Sequence, residues 1–157
     1  MGAEQRPGHD ASGHRFCVVA ARFNEIYVGR LVEAALEVLR RRGAAEKDLE
    51  VVWVPGSFEL PLACSLAARS GRFDAVLAFG VLIQGETEHF RLVAESATEG
   101  LQRVALDTGI PVLDGVLATR DAAQAAARTG GAVGNRGAEV ALAALQMAQL
   151  RRAMEAR

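Results

Sequence analysis

The sequence predicts an α/β protein: a three-layer α/β/α arrangement in which a four-stranded parallel sheet carries helices on both faces. Three observations carry this. Short apolar runs at 16–21, 51–54, 75–83 and 112–118 alternate with longer segments whose apolar residues keep helical spacing. The longest run, Ala75 to Ile83, has no charged residue and reads as a buried strand. At 157 residues and 16.6 kDa the chain has the length of one domain. Residues 1–14 are polar and read as a flexible arm with solvent-exposed His9 and His14, leaving 15–157 as the folded domain.

Half of the residues are hydrophobic and the formal net charge is −1. A nucleic-acid surface would show a basic excess, so that class is disfavoured. Lys47 is the single lysine, and the arginines are scattered rather than gathered into a patch. Cys17 and Cys64 sit among apolar neighbours and read as buried free thiols. With no Cys-x-x-Cys and no clustered histidines, a metal site is not expected. The N-terminus has no apolar signal region, and no run approaches the roughly 18 apolar residues of a membrane span. A soluble cytoplasmic protein is expected.

Phe16 to Ala21 is the first strand, closed by Arg22-Phe23-Asn24. Val28, Leu31, Val32, Ala35, Val38 and Leu39 then form one face of a helix that stops at Gly43. This turn is no Gly-x-Gly-x-x-Gly, and no Gly-Lys-Ser/Thr occurs anywhere, which disfavours NAD and P-loop nucleotides. Phe23 stands open to two readings, a cap on the core or a stacking platform for a flat ligand. Val51 to Val54 is the second strand. Pro61 must lie in the first turn of the following helix, so Glu59 falls at that helix's N-terminus. There Glu59 either complements the helix dipole or, beside Ser57, binds polyol hydroxyls.

The third strand runs into Gln84-Gly85-Glu86-Thr87-Glu88-His89 and a helix reaching about Asp107. Such a turn lies at the carboxyl edge of the sheet, where open α/β folds bind ligands. Gly85 permits close backbone approach, Thr87 is a candidate cap, and the freed N–H groups favour an anion. His89, in the first helical turn, adds a proton-transfer group. In the fourth strand, Asp114-Gly115 marks either a bulge or a position facing a site or subunit boundary. Thr119 is a candidate N-cap for a short helix, Asp121 to Arg128. The stretch 129–137, with four glycines, reads as a mobile or ligand-hugging loop, and a last helix carries Val140, Ala141, Ala144, Leu145 and Ala148 on one face.

Taken together, from about Phe16 to Leu150, these turns resemble the lumazine synthase family. The resemblance is carried by Arg22-Phe23-Asn24, by Val54 through Pro61, by Gly80 through Phe90, by Gly115-Val116-Leu117, by Gln124 with Arg128, and by Gly134 through Gly137. It implies condensation of 5-amino-6-(D-ribitylamino)uracil with 3,4-dihydroxy-2-butanone 4-phosphate to 6,7-dimethyl-8-ribityllumazine, with release of phosphate and water and without cofactor or metal. Phe23, with Asn24 beside it, matches the residue that stacks on the pyrimidine. Ser57, Phe58 and Glu59 match the ribityl-binding segment, and Val81, Leu82 and Ile83 the strand end at the uracil edge. Gly85, Glu86, Thr87 and Arg128 match the phosphate site, and His89 the proposed proton-transfer residue. Asp114 and Arg136 complete the substrate set.

Four positions depart from the family pattern. Gln84 stands where many relatives have Arg, Asp114 where many have Phe, and Arg136 where Lys is usual; Glu86 adds a carboxylate to the phosphate turn. The resemblance further implies a homopentamer with sites between subunits, a possible 60-subunit shell, and possible association with riboflavin synthase. The alternatives are a non-catalytic paralogue that binds flavin or lumazine or forms a shell, and a flavodoxin-like carrier. The latter wants a phosphate loop after the first strand, and Arg22-Phe23-Asn24 is not one.

Overall fold

All six residues of β1 (Phe16–Ala21) are buried, because β1 lies inside a parallel sheet covered on both faces. The structure, a computed structural model, describes residues 2–156. Met1, at the start of the expected arm, and Arg157, at the end of the expected domain, lie outside the described residues. The sheet order is β2-β1-β3-β4, with β2 spanning Leu49–Val54, β3 Ala75–Ile83 and β4 Val112–Thr119. All three pairings are parallel and in unbroken register.

Alternation along β1 and β3 sorts the core into two layers. Phe16, Val18, Ala20, Leu77 and Phe79 face one side, against α1 (Glu25–Arg41) and α5 (Arg136–Glu155). Cys17, Val19, Ala21, Val76 and Ala78 face the other, against α2 (Leu60–Arg69) and α3 (His89–Thr108). The architecture is therefore the expected three-layer α/β/α. Right-handed crossovers account for the split. The step from β1 to β2 and the steps from β2 to β3 and β3 to β4 run in opposite directions across the sheet, so their helices cover opposite faces. Burial also makes both cysteines unreactive: it pushes the Cys17 thiol up to about 12 and the Cys64 thiol up as well.

Several local expectations are corrected. The short helix α4 (Ala122–Arg128) is capped by Asp121, whose carboxylate accepts from the Gln124 N–H at 2.8 Å, and not by Thr119. Thr119 is instead the buried last residue of β4. Asp114-Gly115 makes no bulge. Gly115 is required because a side chain there would meet the Phe79 ring and the Ala78 carbonyl, and the Asp114 carboxylate accepts from the Val116 N–H at 2.9 Å. The glycine-rich stretch is a small hairpin of β5 (Thr129–Gly131) and β6 (Gly134–Asn135), with Gly130 and Gly134 at positive φ.

Segment 8–14 packs on the domain. The Gly8 N–H donates to Gln149 Oε1, Gln149 Nε2 donates to the Asp10 carbonyl, and the Ala11 N–H donates to the Arg42 carbonyl. Ala11 joins the α1/α5 core layer. His14, expected in solvent, is 5 % exposed, and its Nδ1 has no hydrogen-bond partner among the described residues. Burial, reinforced by the Arg152 cation, lowers its pKa from 6.5 against the opposing pull of Asp74 and Asp10. Among the described residues, no helix is long and apolar enough to cross a membrane.

Two predictions follow from this packing. Gly137, in the first turn of α5, lies directly against the Leu31 backbone, and a Cβ there would overlap the Leu31 carbonyl. Gly137→Ala should cost about 1–3 kcal/mol, read as a lower denaturant midpoint at unchanged slope. His14 binds a proton more readily unfolded than folded, so its contribution is complete above 6.5 and is lost as pH falls through the lowered folded value. Wild type should therefore lose stability relative to His14→Gln between pH 7.5 and pH 5.5; parallel denaturation midpoints across that range would refute this.

Candidate active site

The direction of chain progression reverses between β1 and β3, and their carboxyl ends splay into a crevice. A cavity of about 760 Å³ opens there, walled by the segments that follow β1, β2 and β3. Phe23 forms one wall. It is 66 % exposed, which removes the core-cap reading. Its N–H donates to the Pro55 carbonyl at 3.1 Å, after Arg22 N–H has donated to the Val54 carbonyl, so the segment after β1 stays tied to β2. Asn24 follows in left-handed backbone at φ 60°, and its Nδ2 donates to the Val81 carbonyl at 2.7 Å.

A second wall is the turn Ser57–Glu59, a short 3₁₀ segment that runs straight into α2 with Pro61 in its first turn. Ser57 is buried because it rests on Gly80, where any side chain would displace its hydroxyl. Phe58 and Glu59 are exposed and line the cavity.

The floor is the end of β3. Val81 is buried, Leu82 nearly so, and Ile83 half-buried. Val76 N–H donates to Pro111 and Gln84 N–H to Thr119, so even-numbered residues of β3 turn their backbone toward β4. Odd-numbered residues turn toward β1, whose pairing with β3 ends at Ala20 opposite Phe79. The N–H and C=O of Ile83 thus face the cavity beyond the end of β1. They form a donor–acceptor pair suited to the edge of a flat heterocycle.

Across the floor lies the start of α3. His89 is its first residue, exposed, and lines the cavity with Gly85 and Thr87. The N-cap position belongs to Glu88, whose carboxylate pairs with Arg91 and does not cap. Thr87, one residue earlier than a cap, accepts from the His89 N–H at 3.3 Å. The chain itself makes no steric demand for glycine at Gly85, where a Cβ would meet nothing within 4 Å. Glu86 is exposed in the same turn.

Six of the expected residues do not line this cavity: Asn24 is turned to the Val81 carbonyl, Val81 is buried, Glu86 is exposed in the turn beside it, and Asp114, Arg128 and Arg136 sit on other elements. Asp114 lies on edge strand β4 with its carboxylate on its own backbone. Arg128 ends α4, exposed. Arg136 opens α5 and pairs with Glu139 at 2.9 Å. Neither arginine nor lysine is among the lining residues, whereas Glu59 is. The geometry therefore provides an exposed aromatic ring, a backbone donor–acceptor edge, a helix N-terminus and an imidazole, but no arginine or lysine.

The sequence reading did not single out Pro55, Gly56, Phe90, Leu92 and Val93 as site residues, yet they line the cavity. Phe90 and Val93 keep the helical spacing of the core face of α3. Only their place in the first turn, at the sheet edge, separates them from core residues such as Ala97 and Leu101.

The model of the family described as 6,7-dimethyl-8-ribityllumazine synthase matches residues 13–152. A 6,7-dimethyl-8-ribityllumazine synthase of Halorhodospira halophila is 49% identical over 142 residues, covering 90% of this chain and 91% of that protein. One from Thermococcus gammatolerans is 49% identical over 148 residues, 94% of each. A chloroplastic enzyme of Arabidopsis thaliana is 46% identical over 138 residues, 88% of this chain and 61% of that longer protein. With the match running from the end of the arm through almost all of α5, the chain belongs to the 6,7-dimethyl-8-ribityllumazine synthase family.

Proposed function

We propose that the chain is a transferase of riboflavin biosynthesis. It condenses 5-amino-6-(D-ribitylamino)uracil with 3,4-dihydroxy-2-butanone 4-phosphate to give 6,7-dimethyl-8-ribityllumazine. The observation that carries this reading is the cavity between β1 and β3, with exposed Phe23 on one wall and His89 at a helix N-terminus across the floor. The pyrimidine stacks on Phe23, with Asn24 beside it and its edge read by the Ile83 backbone at the end of Val81-Leu82-Ile83. The ribityl chain runs along Ser57-Phe58-Glu59, where Glu59 accepts from its hydroxyls.

The substrate amine adds to the ketone, and loss of water gives an imine. Phosphate leaves by elimination, tautomerisation leaves a second carbonyl, and the ribityl-bearing nitrogen closes the ring onto it with loss of a second water. Protons move at several of these steps, and imidazole titrates in the right range to carry them. The N-terminus of α3, through Gly85, Glu86 and Thr87, favours the phosphate anion. Arg128 supplies its fixed cation.

We infer that Arg128, Asp114 and Arg136 reach the cavity of a neighbouring copy, in a homopentamer with sites between subunits. Their absence from the lining of this chain's own cavity supports that arrangement, as do the exposed apolar side chains Trp53, Leu62, Leu66 and Leu106. A 60-subunit shell and association with riboflavin synthase are further steps of the same reading, and the cytoplasm is its setting.

Purified protein mixed with both substrates should generate lumazine fluorescence well above the uncatalysed rate, with an oligomer seen by light scattering in the same buffer. His89→Ala should lower turnover by roughly 10²–10⁴-fold and leave a residual rate from positioning alone. Complete loss in a correctly assembled variant would contradict that division of labour. If sites are shared, mixing dissociated His89→Ala and Arg128→Ala subunits should restore a fraction of wild-type activity on reassembly. Mixtures no better than the two variants alone would place both residues in one subunit's site.

A further inference from the structure

Asn24 is the only non-glycine residue with left-handed backbone among the described residues, at φ 60° and ψ 38°. Glycine occupies such a conformation with least strain, and Asn is the best tolerated substitute. A side chain kept there at some cost needs a task. Capping α1 is not that task, since the Asn24 side chain makes no cap hydrogen bond. It reaches instead across the crevice to the Val81 carbonyl, 57 residues away in the chain, at 2.7 Å.

That carbonyl lies past the end of the β1–β3 ladder, which closes at Ala20 opposite Phe79. The next backbone donor in line, Phe23 N–H, is committed to Pro55 on the β2 side. Phe23 thus stands between two ties, its own N–H to β2 and the Asn24 amide to β3. Its ring is two-thirds exposed, so core packing does little to hold it. Ile83, two residues beyond the tied Val81 carbonyl, lines the same cavity as Phe23.

We propose that Asn24 is a positioning residue: its amide locks the end of β1 to the end of β3 and so fixes the Phe23 ring over the Ile83 backbone edge. The slot between them takes a flat heteroaromatic ring with a donor–acceptor edge. This rests on the function proposed above and assigns Asn24 an action through Phe23 and not through a contact of its own with substrate.

Steady-state kinetics on Asn24→Gly, which keeps the backbone conformation and loses the amide, tests this. Asn24→Asp, isosteric but without the N–H, is the second variant. Both should raise KM for the ribitylamino-uracil about tenfold, as expected for one lost hydrogen bond. KM for the butanone phosphate and the oligomer size should not change. In a Phe23→Ala background the same substitutions should add nothing, because the residue they act through is gone. Unchanged KM in Asn24→Gly, or equal effects in both backgrounds, would overturn the proposal while leaving the enzyme reading intact. A wild-type protein that makes no lumazine would overturn both.

Discussion

The carboxyl edge of this protein is governed by the burial of β1 and β3 side by side in the middle of the sheet. Two neighbouring strands covered on both faces need helices on opposite sides, and right-handed crossovers then force the chain to leave β1 and β3 in opposite directions. The segments after these strands cannot cover one another. Between them remains a crevice whose base is backbone and whose walls are whatever side chains the two turns project. Phe23 and His89 face each other across it for this reason. Their loops are short and carry no independent core, so their positions derive from the sheet.

The same constraint makes small residues decisive. Ser57 rests on Gly80, Gly115 makes room for the Phe79 ring, and Gly137 brings α5 against the backbone of α1. Gly80 and Gly115 each leave room for a neighbour's side chain, and Gly137 lets two helices meet backbone to backbone. Interiors packed to this density transmit a misplaced methyl group rather than absorb it. The sheet end that carries Val81 to Ile83 is held from below by these contacts and from the side by Asn24, while its last residue keeps its polar backbone free.

Much of this was legible in the sequence because burial leaves a periodic trace. Ala75 to Ile83 shows a strand covered on both faces, and Val140, Ala141, Ala144, Leu145 and Ala148 show one helix face; all are buried as that pattern requires, except Ile83, which opens to the cavity. Features decided by tertiary contact left no such trace. His14 reads as part of a polar arm, and only its contacts with the domain put it out of solvent. Thr119 and Asp121 are both capping residue types; the last pairing of β4, Thr119 opposite Ile83, leaves the role to Asp121. Of the cavity lining, Phe23, Ser57 through Glu59, Leu82, Ile83, Gly85, Thr87 and His89 were legible because turns after parallel strands converge by topology. Phe90 and Val93 were not, since a cavity wall and a core face share one helical period.

Charge is the feature that a single chain leaves unfinished. Lining the cavity are Glu59, His89, Ser57, Thr87 and mostly apolar neighbours, with no arginine or lysine. A helix N-terminus alone is worth only about 0.3–1 kcal/mol toward an exposed anion, too little to hold a phosphate against water. On the proposed reading, Arg128 of a neighbour supplies the missing cation, from the end of a short helix whose start is fixed by Asp121 and Gln124. The pair between Arg136 and Glu139 is an exposed one of little intrinsic strength, so Arg136 can turn toward a substrate without much loss. Dividing the ring platform and the phosphate cation between subunits has a mechanistic consequence. On the same proposed reading, the leaving phosphate departs along the subunit boundary, away from the wall that still holds the ring. On that reading product and phosphate separate without reopening the proposed ring slot between Phe23 and Ile83.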